Sequence, residues 1–107
     1  MKKKMQSKSI LMHYKIKFLP SALKEWNKLA PPIQKQFKKK LKERIKNPRI
    51  ESSQLRGFKD VYKLKLRSVG YRLVYEVDDA EIIVYVIAIG KRERGIVYTK
   101  AENRKRK

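Results

Sequence analysis

Residues 60–98 read DVYKLKLRSVGYRLVYEVDDAEIIVYVIAIGKRERGIVY, and the alternation within them decides the fold. From Val61 to Arg67, Tyr62, Leu64 and Leu66 fall on one face and Lys63, Lys65 and Arg67 on the other, the period-two pattern of a half-buried strand. A second strand, Tyr71 to Val77, follows Ser68-Val69-Gly70, where glycine can supply the positive φ of a tight hairpin. Matching apolar faces predicts Lys65 opposite Val74, Leu66 opposite Leu73, Leu64 opposite Tyr75 and Tyr62 opposite Val77, with Arg72 facing Arg67. A slip by one residue would bury Arg72 and expose Leu73. Glu81 to Ile89 is apolar on both faces, with Ile83, Tyr85, Ile87 and Ile89 on one and Ile82, Val84, Val86 and Ala88 on the other. Such a strand belongs in the middle of a sheet, and Gly90 is expected to end it. Asp78-Asp79 sits in the preceding turn, where aspartate serves the local backbone.

Working outward, Tyr14 to Phe18 alternates again and predicts a first strand with Tyr14, Ile16 and Phe18 inward. Pro20-Ser21 opens a helix with Ser21 as its cap and an apolar stripe of Ala22, Trp26 and Leu29, flanked by Leu23 and Ala30. Trp26 reads as a core anchor. Pro31-Pro32 ends that helix and begins another, which buries Ile33, Phe37, Leu41 and Ile45 and runs to about Lys46, before Asn47-Pro48. Its outer face carries Lys35, Lys38, Lys39, Lys40, Lys42, Arg44 and Lys46 against Glu43 alone. Like-charge neighbours destabilise a helix, so this face is expected to meet phosphates. Residues 49–60 read as an irregular link around Gly57. The predicted class is therefore α+β: one small domain with an N-terminal strand, a two-helix hairpin, and a three-stranded antiparallel meander that completes a four-stranded sheet.

The chain has 107 residues, 30 Lys plus Arg against 10 Asp plus Glu, a net charge of +20, and no cysteine. One domain of this size can fold around a single core. Absence of cysteine removes disulfides, thiolate metal sites and thiol nucleophiles, and fits a reducing compartment, with the cytoplasm as the default. The basic start has an apolar run of three residues, Ile10-Leu11-Met12, well short of the roughly 7 to 15 of a signal peptide, and no stretch approaches a membrane span. Residues 1–12 and 100–107 each hold a net +4, which leaves +12 on residues 13–99. Both basic ends, an extension over 1–12 and a tail over 100–107, are expected to be disordered. A domain so basic implies a polyanionic partner, most often nucleic acid.

The chemistry available is narrow. His13 is the only histidine, which excludes paired-histidine ribonuclease chemistry, and no carboxylate cluster suggests a metal site. What remains is a cationic face with tyrosines. Lys63 and Lys65 lie about 6 to 7 Å apart on one strand with Arg67 and Arg72 beside them, and such crowding lowers a lysine pKa. A lysine so tuned can act as a base, and its neighbours can stabilise a pentacoordinate phosphate. Many RNA-binding sheets carry lysine rows without cutting anything. From the residues alone, binding and cleavage stay evenly matched.

From about Met12 to Tyr98 the chain resembles the RelE ribonuclease toxins, cytoplasmic members of toxin–antitoxin pairs. The resemblance rests on YKLKLRSVGYRLVY and on GKRER followed by VY, both at the family's spacing. It implies a ribosome-dependent endoribonuclease that cuts messenger RNA in the A site without metal or other cofactor, with the ribosome, messenger RNA and a RelB-like antitoxin as partners and no membrane. By the resemblance, Lys65 is the base for the 2′-hydroxyl, Lys63 and Arg72 stabilise the phosphorane, Arg92 assists the leaving 5′-oxygen, and Tyr98 stacks on the displaced base. Arg92 is read as a charge stabiliser, since guanidinium pKa exceeds about 12. RNA contacts are implied at Arg56 and Arg67 and expected along Lys35, Lys38, Lys39, Lys42 and Lys46. Residues 1–11 have no counterpart in a typical family member, and KAENRKRK is more basic and less helical than its usual ending. The alternatives are a non-catalytic ribosome- or RNA-binding protein and a ParE-like, gyrase-directed toxin, whose group lacks this set of cations.

Overall fold

The computed structural model describes residues 13–105; the expected extension over 1–12 and the last two residues of the expected tail lie outside them. The described elements are β1 (Lys15–Phe18), α1 (Pro20–Asn27), α2 (Pro31–Arg44), β2 (Val61–Leu66), β3 (Tyr71–Asp78), β4 (Ile83–Lys91) and α3 (Ile96–Arg104). The class is α+β as expected, built on a four-stranded sheet in the order β1-β4-β3-β2. β2, β3 and β4 form the antiparallel meander, while β1 lies parallel to β4 with Lys15 opposite Ile83 and Phe18 opposite Val86, so the sheet is mixed.

The two faces of the sheet carry separate cores. Tyr62, Leu64, Leu66, Leu73, Tyr75 and Val77 point toward α1 and α2, where Ala22, Trp26, Phe37 and Leu41 meet them. On the opposite face Val61, Val74, Ile87 and Ala88 pack against Val97 and Ala101 of α3. Each of the larger aliphatic side chains contributes about 1.5–3 kcal/mol by leaving water. Tyr75, Phe37 and Leu64, each at most 1% exposed, are among the largest fully buried side chains of the first core.

Several local expectations are corrected. Lys65 pairs with Arg72 rather than Val74, Leu64 with Leu73, and Tyr62 with Tyr75. The shift is two residues, which leaves every side chain on its predicted face; the tight connection through Arg67–Val69 and Gly70, whose φ is +70°, sets the register instead. In β4 strict alternation fails. Val74 pairs with Ala88 and Tyr75 with Val86, so Ile87 is the extra residue of a bulge. Ile87 and Ala88 consequently both face α3, and Ile89 joins Val84 and Val86 on the other side.

Gly90 does not end β4, which continues to Lys91. It lies against α3, where a Cβ built on it would make ordinary contact with Cβ of Val97 at 3.7 Å. Ser21 is not a cap; Leu19 occupies that position with no side-chain hydrogen bond, and Pro20 begins α1 with its preset φ. Leu23 and Ala30 are exposed, and Ile33 and Ile45 are half-buried. α2 ends at Arg44, short of Lys46. The segment expected as a charged tail is helical as far as Arg104.

Candidate active site and nucleic-acid interface

β2 and β3 bring the predicted cations together on the face that α3 shares. Lys65 and Arg72 are direct cross-strand partners, which places their Cα atoms about 5 Å apart. Lys63 lies two residues back along the same face. Across Arg72 on the inner side stands Gly90 of β4, and the main-chain N–H of Arg92 donates to the carbonyl of Gly70 at 2.9 Å. That bond draws Arg92 to the β2–β3 turn, beside Arg67. α3 packs on β4 and β3 and leaves the β2 margin of the face to the lysines.

The electrostatic consequence falls on Lys65. The charge of Lys63, then partial burial, then Arg72, Arg67 and Arg92, hold its ammonium below the usual lysine range. Lys63 and Lys65 are both half-buried, while Arg67 and Arg92 are exposed. Arg72 was expected on an open face but is 7% exposed, because β3 is an inner strand flanked by β2 and β4. Its Nη1 donates to the carbonyl of Tyr71 at 3.1 Å.

Tyr98 stands in the first turn of α3, half-buried against the second core. Gly95, in the left-handed conformation at φ +67°, starts that helix. α3 is clasped from its other end. One carboxylate, Glu25 of α1, accepts from Lys100 Nζ at 2.9 Å, from Arg104 at 3.0 and 3.1 Å, and from the N–H of Ile89 at 3.0 Å. Arg104 also donates to the carbonyl of Ile87. Burial alone would raise the Glu25 pKa, but these bonds outweigh it and the net shift is downward.

Not every predicted contact residue joins the row. Arg56 is exposed in the turn before Gly57, at the Val61 end of β2, so roughly 13 Å of strand separates its level from Lys65. Lys35, Lys38, Lys39, Lys42 and Lys46 are all exposed on α2 and just beyond its end, with a single loose pair, Lys46 to Glu43 at 3.8 Å. The end of α2 abuts β2, so this basic surface borders the sheet edge that carries Lys63.

Arg44 departs from the prediction: it faces inward, where Nη1 donates to the Lys63 carbonyl at 3.2 Å and the Tyr75 hydroxyl at 2.9 Å. Its spacing from Phe37 and Leu41, seven and three residues, was the available signal. Arg49 was likewise unassigned; it binds Asp60 and Asp79 at 2.9 and 2.8 Å. Asp79 in turn accepts from Tyr14, whose hydroxyl is pushed up to about 12 by burial and by that bond. Among the described residues no group of three or more His, Asp or Glu side chains is arranged to hold a metal ion.

Residues 16–96 match the profile of the ParE toxins of type II toxin–antitoxin systems. Over 93 residues the chain is 54% identical to the mRNA interferase toxin RelE of Escherichia coli K12, which covers 87% of this chain and 98% of that protein. The chain belongs to the RelE family of toxins. Among solved structures, a free E. coli RelE carrying two arginine-to-alanine changes superposes with a TM-score of 0.81 at 51% identity, covering 86% of this chain and 97% of that one. The intact E. coli RelBE toxin–antitoxin complex aligns with a TM-score of 0.73 at 54% identity, over 76% of this chain and 99% of the matched one. This RelE-family chain thus keeps the fold, and within it Lys63, Lys65 and Arg72 share one face, with Arg92 held at the adjoining turn. No helix among its described residues is long and apolar enough to cross a membrane.

Proposed function

We propose that this toxin is a ribosome-dependent endoribonuclease of the cytoplasm that cuts messenger RNA in the A site by metal-independent transesterification. The observation that carries the reading is the row itself, with Lys65 paired across the strands to Arg72 and two residues from Lys63, because that crowding holds the Lys65 ammonium below the usual lysine range and so favours its use as the base for a 2′-hydroxyl. Lys65 takes the 2′-hydroxyl proton as the O2′–P bond forms. Lys63 and Arg72 offset the charge gathering on the phosphorane oxygens. The P–O5′ bond then breaks, with Arg92 balancing charge on the leaving oxygen, which takes its proton from water. The products are a 2′,3′-cyclic phosphate and a 5′-hydroxyl. Tyr98 offers its ring to the displaced base, while Arg56, Arg67 and the α2 lysines contact phosphates and add no base specificity. Relatives named as mRNA interferases support the activity, and the RelBE complex supports a RelB-like antitoxin as partner.

The test is single-turnover cleavage on saturated, programmed ribosomes as a function of pH. Lys65→Ala is expected to lose about 10² to 10⁴ in rate. Lys63→Ala removes the largest cause of the Lys65 shift, so the rising limb of its pH profile should move to higher pH. Retention of near-normal cleavage in Lys65→Ala, with wild-type pH dependence in Lys63→Ala, would mean a differently built site, and absence of cleavage by the wild-type protein would favour a non-catalytic binding protein.

A further inference from the structure

On the face opposite the lysine row, two stacked rings lie between two arginines. Arg49 lies 5.9 Å from the ring centroid of Tyr62, the rings of Tyr62 and Tyr75 stack at 5.7 Å and 18°, and Arg44 lies 5.8 Å from the centroid of Tyr75. The two arginines differ in one respect. Arg49 has two carboxylates, Asp60 and Asp79. Arg44 has neutral partners only: the Lys63 carbonyl, the Tyr75 hydroxyl and Ser53 Oγ at 3.2 Å, with no ion pair among the described residues. Tyr75 is fully buried and donates onward to the carbonyl of Pro48 at 2.7 Å. A half-buried guanidinium without a counter-charge is costly in a chain already at +20, and a methionine would fill the same space without that cost.

Its placement suggests what offsets the cost. Asp60 offers its carbonyl to β3 through Val77, while Val61 offers its own to Leu55 on the outer side, so the odd-numbered carbonyls of β2 face the open edge. That of Lys63 is therefore an edge group, and a charge-assisted bond from Arg44 secures it. We propose that Arg44 is a positioning residue of the cationic row: it ties the edge of β2 to the end of α2 and to the buried Tyr75, and thereby fixes the backbone from which Lys63 and Lys65 project. The proposal rests on the ribonuclease reading above, and the planar fork of arginine suits a carbonyl and a hydroxyl at once.

Arg44→Met and Arg44→Lys test it, with two readouts taken well below the melting temperature. Single-turnover cleavage on saturated ribosomes should fall about tenfold or more in Arg44→Met at unchanged ribosome affinity, since small misplacements of catalytic groups have effects of that size or larger. Arg44→Lys, which keeps the charge but not the fork, should recover part of the loss. Amide hydrogen exchange at Leu64 and Leu66 should rise at least tenfold while β3–β4 amides stay protected. Cleavage within twofold of wild type together with unchanged Leu64 and Leu66 protection would overturn the proposal, as would a uniform loss of protection throughout the sheet, which marks a general stability role. If wild type itself does not cut, the ribonuclease reading fails, and the exchange pattern still decides whether Arg44 holds β2. Should Arg44→Met not fold, the lysine variant decides on both readouts.

Discussion

Replacing Glu25 by alanine should loosen α3 and, with it, Tyr98. The carboxylate is 17% exposed and Arg104 23%, whereas Lys100 at 39% is well screened and contributes little. Breaking a buried pair costs about 3–5 kcal/mol and breaking an exposed one about 0–1. A mostly sheltered pair that also caps the Ile89 N–H falls between them, at about 2–3 kcal/mol. For a domain near 95 residues this lowers the melting temperature by about 10–20 °C. The pH dependence follows from the downward shift of Glu25. Its contribution is complete above the unfolded glutamate pKa, near 4.3, and is lost as pH falls through the lower folded value. Glu25→Gln, which keeps an oxygen for Ile89 but no charge, should remove that part of the acid limb. Urea denaturation at pH 7 and between pH 5 and 2 measures both effects, and hydrogen exchange should place the early opening in α3. A Glu25→Ala effect below about 0.5 kcal/mol, or an acid limb unchanged in Glu25→Gln, would refute this account of the clasp.

Charge reversal at Lys38, Lys39 and Lys42 should flatten the salt dependence of ribosome binding by about one logarithmic unit for each phosphate no longer neutralised, read from affinities over 50–200 mM salt; an unchanged slope would mean that α2 does not face the polyanion. Tyr98→Phe should cleave more rapidly than Tyr98→Ala in single-turnover assays, because phenylalanine keeps the stacking face. Equal losses in the two variants would assign a role to the hydroxyl instead.

The sheet was legible because alternation reports burial directly: Tyr62, Leu64 and Leu66 announce one core, and an even slip in register cannot move them off it. What escaped was whatever depends on partners distant in sequence. The bulge at Ile87 is invisible in a run that is apolar on both faces. Arg49 looks like any other surface cation until Tyr62 is placed beside it, and the spacing of Arg44 from Phe37 and Leu41 marks its face but not its partner, Tyr75. α3 was read as a tail because KAENRKRK is highly charged, although Val97, Ala101 and Arg104 are spaced for one helical face. Arg104 and Lys100 lose their solvated appearance only when Glu25, more than 70 residues earlier, is brought alongside. Of the site, the row Lys63, Lys65, Arg72 and Arg92 was legible as a set of spacings, whereas the burial of Arg72 follows from strand order.

A single-atom change in the RNA bears on the central claim most directly. A ribosome-bound message carrying a 2′-deoxy nucleotide on the 5′ side of the cut loses the nucleophile and leaves every protein contact surface intact. The proposed mechanism predicts undiminished binding of the toxin and no cleavage at that site, with the all-ribose message yielding a 2′,3′-cyclic phosphate and a 5′-hydroxyl. Cleavage of the deoxy message at a comparable rate would contradict it.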